Sequence, residues 1–167
     1  TSYYNRDWGF CVTKKQYDIL SDIDGELEVL IDSDFNEKGN MEIGEFVIPG
    51  KSKKKYLIST YFCHPSMAND NLSGIILTAF LAKYLSSNQN LNYTWCFIFV
   101  PETIGAIAYC KMNQQSMKNV EAGLVVTTVG GKGKIGYKKS FDESHRINKI
   151  IEDELEKIKE GYLTYPF

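Results

Sequence analysis

Three side chains in this sequence have types and spacing suited to metal-assisted hydrolysis: His64, Asp70 and Glu102. His64 and Asp70 lie in the stretch Y-L-I-S-T-Y-F-C-H-P-S-M-A-N-D-N-L-S-G, Tyr56–Gly74. An imidazole and a carboxylate brought together by one strand-to-helix connection make the start of a metal site. Glu102 follows a second apolar run, directly after Pro101. A metal held by the first pair would polarise a carbonyl and acidify a water, and a free carboxylate would shuttle the proton. Each residue also has a plainer role open to it. Asp70 suits the N-cap of the helix that follows, His64 a hydrogen-bonded loop position, and Glu102 the positive end of a helix dipole. The chain has 2 histidines, and the placing of one at a predicted strand end is what makes the pair informative. Cys63 beside His64 suggests a Cys/His nucleophile, but neighbours on a strand face opposite sides, which makes that pairing geometrically poor.

The elements that must position these groups follow from hydrophobic pattern. Tyr56–Phe62 is an apolar, β-branched and aromatic run that predicts a short buried strand. Leu72–Leu85 is apolar nearly all round and predicts a helix lying against a sheet. Thr94–Val100 predicts a second buried strand, Ile104–Met112 a helix, and Val120–Val129 a third strand closed by Gly130-Gly131. Lys134–Lys138 reads as a short edge strand. Asp142–Ile158 has the apolar stripe of an amphipathic helix, with Glu and Lys covering its other face. Strands alternating with helices predict an α/β fold with a mainly parallel sheet flanked by helices and right-handed crossovers. In such sheets ligands bind beyond the carboxyl ends of the strands, which is where His64, Glu102 and the Thr127-Thr128 pair fall.

The first fifty residues have a different grammar. Aromatics crowd Thr1–Val12 (Tyr3, Tyr4, Trp8, Phe10), with a turn at Asn5-Arg6-Asp7. Thr13 can cap a short helix over Thr13–Leu20. Glu26–Ile31 and Met41–Ile48 alternate apolar with polar, so residues 1–50 predict a small antiparallel β unit, inserted or lid-like, with Trp8 and the tyrosines in a core or interface. Pro49-Gly50 and the lysines that follow mark the boundary with residues 51–167, a partial α/β domain.

Composition sets the broad class. The chain is 43% hydrophobic and 24% charged, with a net charge of −2, so bulk electrostatics favour neither nucleic acid nor a membrane surface. No apolar run approaches the ~20 residues of a membrane span. The cysteines Cys11, Cys63, Cys96 and Cys110 form no C-x-x-C pair and read as reduced residues of a cytoplasmic protein. The remaining partner expected, through an exposed sheet edge or apolar face, is a second copy in a homo-oligomer.

The segments C-H-P-S-M-A-N-D-N-L-S-G and V-P-E-T-I-G-A-I-A-Y resemble the aminopeptidase-like domain family related to zinc-dependent exopeptidases. S-Y-Y-N-R-D-W-G-F-C and G-E-F-V-I-P-G-K are similar to it as well, which extends the resemblance over most of the chain. The resemblance implies a zinc-exopeptidase-like fold, His64 and Asp70 as metal ligands, Glu102 as general base, zinc as cofactor, and a peptide or small amide as substrate. It also implies that the first fifty residues are a small inserted domain. Departures are plain. Where the exopeptidases carry a second Glu as ligand, this chain has Thr103, and near their further Asp ligand it has Thr127 and Thr128. His145, at a helix start, is a poor substitute for the missing histidine. Zinc sites need three or four ligands, so the expectation is a mono-zinc hydrolase present here as a fragment, with a third ligand outside this chain and zinc expected of the whole protein rather than of this stretch. The alternative is a non-catalytic binding module that keeps the exopeptidase fold with a degraded metal site.

Overall fold

A computed structural model describes residues 6–88 and 90–167; Tyr3 and Tyr4 of the expected aromatic cluster lie outside them. The chain divides into two compact units, one ending at Gly39 and the other Asn40–Phe167.

Among the described residues the first unit holds one helix, α1 (Lys14–Ser21). Thr13 caps it as its sequence predicts: the hydroxyl accepts from the Gln16 N–H, and the Gln16 side chain accepts from the Thr13 N–H at 2.9 Å. Among the described residues no strand forms before Gly44, so the alternation in Glu26–Ile31 does not become one. Leu27, Val29 and Ile31 stay more than half exposed; a period-two pattern makes a strand only where a partner strand pairs with it. Trp8 is 79% exposed, with Phe10 edge-on to it at 5.8 Å, rather than part of a core.

The second unit is mixed α/β. In chain order it runs β1 (Gly44–Ile48), β2 (Ser52–Phe62), an irregular turn (Asn69–Ser73), α2 (Gly74–Ser86), β3 (Tyr93–Pro101), α3 (Ile104–Met112), α4 (Gln114–Met117), β4 (Val120–Val125), β5 (Ile135–Lys138), α5 (Arg146–Leu155) and β6 (Tyr162–Tyr165). The main sheet has the order β1-β3-β2-β4. β2 is parallel to both β3 and β4, while β1 pairs antiparallel with β3. The expected mainly parallel sheet with flanking helices is present, and its antiparallel component is the single β1–β3 pair. The strand read from Met41–Ile48 is therefore an edge of this sheet rather than part of a separate β unit. β5 forms its own two-stranded parallel sheet with β6.

β3 carries both cores. Trp95, Phe97 and Phe99 face one side, with Ile58 of β2 and Ala82, Leu81 and Leu85 of α2. Cys96, Ile98 and Val100 face the other, with Leu57 of β2 and Tyr109 and Ala106 of α3. A strand covered on both faces reads as a continuous apolar run, as T-W-C-F-I-F-V does. The two crossover helices lie on opposite faces because one connection goes from β2 to β3 and the next returns past β2 to β4. That reversal opens a crevice at the carboxyl ends. Among the described residues no helix is long and apolar enough to cross a membrane.

Gly74 lets α2 start close against the sheet. A Cβ there would lie 2.5 Å from the Val126 carbonyl oxygen and would also overlap the Asn71 side-chain amide. Gly74→Ala should therefore destabilise the fold by about 1–3 kcal/mol, the usual range for overpacking, rather than stabilise the helix as Ala does at open sites. Chemical denaturation monitored by circular dichroism would register the lower midpoint.

Candidate active site

Parallel pairing puts the ends of β2 and β3 side by side: Phe62 is in register with Pro101. The Glu102 N–H continues the ladder, donating to the Phe62 carbonyl at 2.9 Å. Residues 63–64 and 102 thus leave the sheet at one rim. They line an open depression of about 410 Å³ together with Phe62, Pro101 and Ile104.

Glu102 is aimed by a tight turn. The Ile104 N–H donates back to the Glu102 carbonyl at 2.6 Å, and Thr103 between them has φ 60° and ψ −67°. This is the rare γ-turn geometry, which ends the strand within one residue and starts α3 directly. Ser66 and Thr128 also have positive φ, 61° and 50°. Ser66, Thr103 and Thr128 follow β2, β3 and β4 respectively, so non-glycine backbone strain collects along the rim, as it does at binding and catalytic sites.

His64, Asp70 and Cys63 come together on the loop after β2. One ligand atom from each lies within 4.8 Å of the others. Asp70 does not cap α2: the N-cap is Ser73, and it makes no side-chain cap bond. Instead the Tyr61 phenol donates to Asp70 Oδ1 at 2.9 Å, and Thr127 donates to the phenol oxygen at 2.8 Å. Burial raises the Tyr61 pKa above its ordinary value, and the charges of Asp70 and Glu102 push it the same way, so the phenol remains a donor at neutral pH. His64 Nδ1 lies 2.7 Å from the Pro65 carbonyl oxygen. A carbonyl can only accept, so Nδ1 carries the proton and Nε2 offers the free lone pair.

The strand alternation that separated Cys63 from His64 does not apply, because β2 ends at Phe62 and the chain bends through residues 64–66. His145 has no part in the cluster; its Nδ1 accepts from the Ile147 N–H and caps α5. Thr103 and Thr127 supply no carboxylate, but both have structural roles here, in the γ-turn and behind Tyr61.

Sequence reasoning missed the residues that hold the loop. Asn71 is fully buried. Its amide donates to Thr60 Oγ1 at 3.0 Å and to the Tyr61 carbonyl at 2.8 Å, and its oxygen accepts from the Thr128 N–H at 3.0 Å. Asn69 Oδ1 accepts from the Gly130 N–H at 2.8 Å. These two side chains fasten the Asp70 loop to β2 and to the segment after β4. Their sequence signal was present in N-D-N, where a charged residue stands between two amides just before an apolar helix.

A family model described as "Domain of unknown function (DUF4910)" matches residues 7–167. A Clostridium acetobutylicum protein, provisionally named for polysaccharide biosynthesis with an aminopeptidase-like domain, is 45% identical over 152 residues. That alignment covers 91% of this chain and 34% of the relative. A crystal structure of a protein from Clostridium acetobutylicum, provisionally named a peptidase, aligns with a TM-score of 0.83 and 42% identity. It covers 99% of this chain and 38% of that one. The chain thus spans well under half the length of these relatives.

Proposed function

We propose that this chain, which belongs to the DUF4910 family, contributes the core of a zinc-dependent, aminopeptidase-like amide hydrolase related to the zinc exopeptidases. The carrying observation is convergence at one rim: His64 and Asp70 within a 4.8 Å cluster, and Glu102 lining the same depression as His64. The names of the relatives, one for an aminopeptidase-like domain and one as a peptidase, support the same reading.

The donor set fits the metal. Zinc takes imidazole nitrogen and carboxylate oxygen in one site, and His64 has its tautomer set by a backbone carbonyl while Asp70 has one oxygen held by Tyr61. Such supporting bonds are what orient metal ligands. When bound, zinc would supply polarisation of the scissile carbonyl and acidification of water. Glu102 accepts the water proton and returns it to the departing amine, a role that needs an exposed carboxylate facing the depression. The substrate is a peptide or small amide whose carbonyl reaches the rim.

The replacement of the expected carboxylates by Thr103 and Thr127 favours a second reading, a binding module that retains the fold without turnover. The intact protein distinguishes the two. Elemental analysis should find about one zinc per chain, lost in His64→Ala, and a panel of amino-acyl amides should contain a substrate. Absence of hydrolysis by metal-replete intact protein across that panel would select the binding module.

A further inference from the structure

The third protein ligand that such a site needs lies inside this chain: the geometry points to Cys63, making the site a Cys-His-Asp centre. This assignment rests on the reading of His64 and Asp70 as metal ligands, and extends it to a residue whose chemistry would otherwise be nucleophilic.

Three observations carry it. The first is proximity. Cys63, His64 and Asp70 each offer a ligand atom within 4.8 Å of the other two. Zinc bonds of 2.0–2.3 Å in tetrahedral geometry place ligand atoms about 3.5 Å apart, so modest side-chain rotation closes the set. The second is the pattern of donors and acceptors. His64 Nδ1–H is committed to the Pro65 carbonyl, and Tyr61 donates to the Asp70 oxygen Oδ1. Those bonds leave a thiol sulfur, the imidazole Nε2 and the second carboxylate oxygen as electron-pair donors open to a cation. The third excludes the competing use of Cys63. In a Cys/His nucleophile the carboxylate serves by orienting the imidazole through its other N–H. Here that N–H is held by the Pro65 carbonyl instead, and Asp70 stands within the cluster as a further electron-pair donor.

A centre with one sulfur, one nitrogen and one oxygen ligand is that of a borderline-soft metal, zinc or cobalt, rather than magnesium or calcium. Three protein ligands also leave one position open toward the depression that Glu102 lines, as catalytic sites require.

The test uses the intact protein loaded with Co(II) in place of zinc. Thiolate ligation gives a sulfur-to-cobalt charge-transfer band in the near ultraviolet, and tetrahedral ligation gives visible ligand-field bands. Both should appear in the wild type. Cys63→Ser should lose the near-ultraviolet band and bind zinc at least ~10-fold more weakly. Cys63→Asp should keep the visible bands without the near-ultraviolet one, which guards against a variant that merely unfolds. Cys110→Ser, at an exposed cysteine elsewhere, should leave the spectrum unchanged. Cobalt binding with no charge-transfer band, or a band that survives Cys63→Ser, would overturn the assignment of Cys63 while leaving His64 and Asp70 in place. Failure of the intact protein to bind cobalt or zinc at all would overturn both.

Discussion

Glu102→Gln should lower amide hydrolysis by about 10²–10⁴-fold, the usual contribution of a positioned proton-transfer group, while metal content stays at the wild-type level. The substitution keeps the shape of the side chain and its ability to accept a hydrogen bond, and removes its ability to take a proton. The backbone around it should not move, since the Glu102 N–H is held by the Phe62 carbonyl and its own carbonyl by the Ile104 N–H. Glu102 lies outside the Cys63, His64 and Asp70 cluster, so the ion should remain. Steady-state kinetics on a responsive substrate, paired with elemental analysis of the same preparation, gives both readouts. Loss of metal together with loss of rate would make Glu102 a ligand instead of a base. Unchanged rate with metal retained would remove it from the chemistry.

The second large effect should come from a residue that touches no substrate. Asn71→Ala removes three hydrogen bonds from a fully buried position, and the loss should cost about 2–4 kcal/mol. Much of that is the penalty of leaving the Tyr61 carbonyl without its partner in the interior. Asn71→Asp is the sharper probe, because it preserves shape. A carboxylate has no donor for Thr60 Oγ1 or the Tyr61 carbonyl, and its charge is buried. Burial would raise its folded pKa above the unfolded value of about 3.9. The penalty should therefore be smallest below that pH and grow as pH rises toward the folded pKa. Urea unfolding at several pH values would show this slope. A stability loss independent of pH would mean that the loop rearranges to expose the substituted side chain.

The legibility of this chain divides according to what each element depends on. β3 and α3 were readable nearly to their ends, because burial on both faces of the sheet leaves a continuous apolar run bounded by Pro101. The cap of α1 was readable because a capping box is a local arrangement of a few side chains. The strand expected at Glu26–Ile31 did not form, since alternation reports a face available for burial and not whether anything pairs with it. The helix expected from Asp142 begins at Arg146, because Asp142 accepts from Ser144 in a turn of its own. At the site, His64 and Glu102 could be placed from strand ends alone. Cys63 could not, because alternation was carried one residue past the end of β2. Tyr61 and Asn71 owe their roles to Thr127 and Thr128, more than fifty residues away in sequence, and no local pattern reports such a partner.

The rim is assembled from pieces with unequal reach along the chain. Cys63, His64 and Asp70 share a single loop, whereas Glu102 takes its place only through the parallel register of β2 with β3. During synthesis the loop leaves the ribosome first, but Asn71 and Asn69 fasten it only once Thr128 and Gly130 have emerged, by which time Glu102 is already out. On the proposed reading, ion capture and turnover would therefore arrive together, and a half-made protein would do neither.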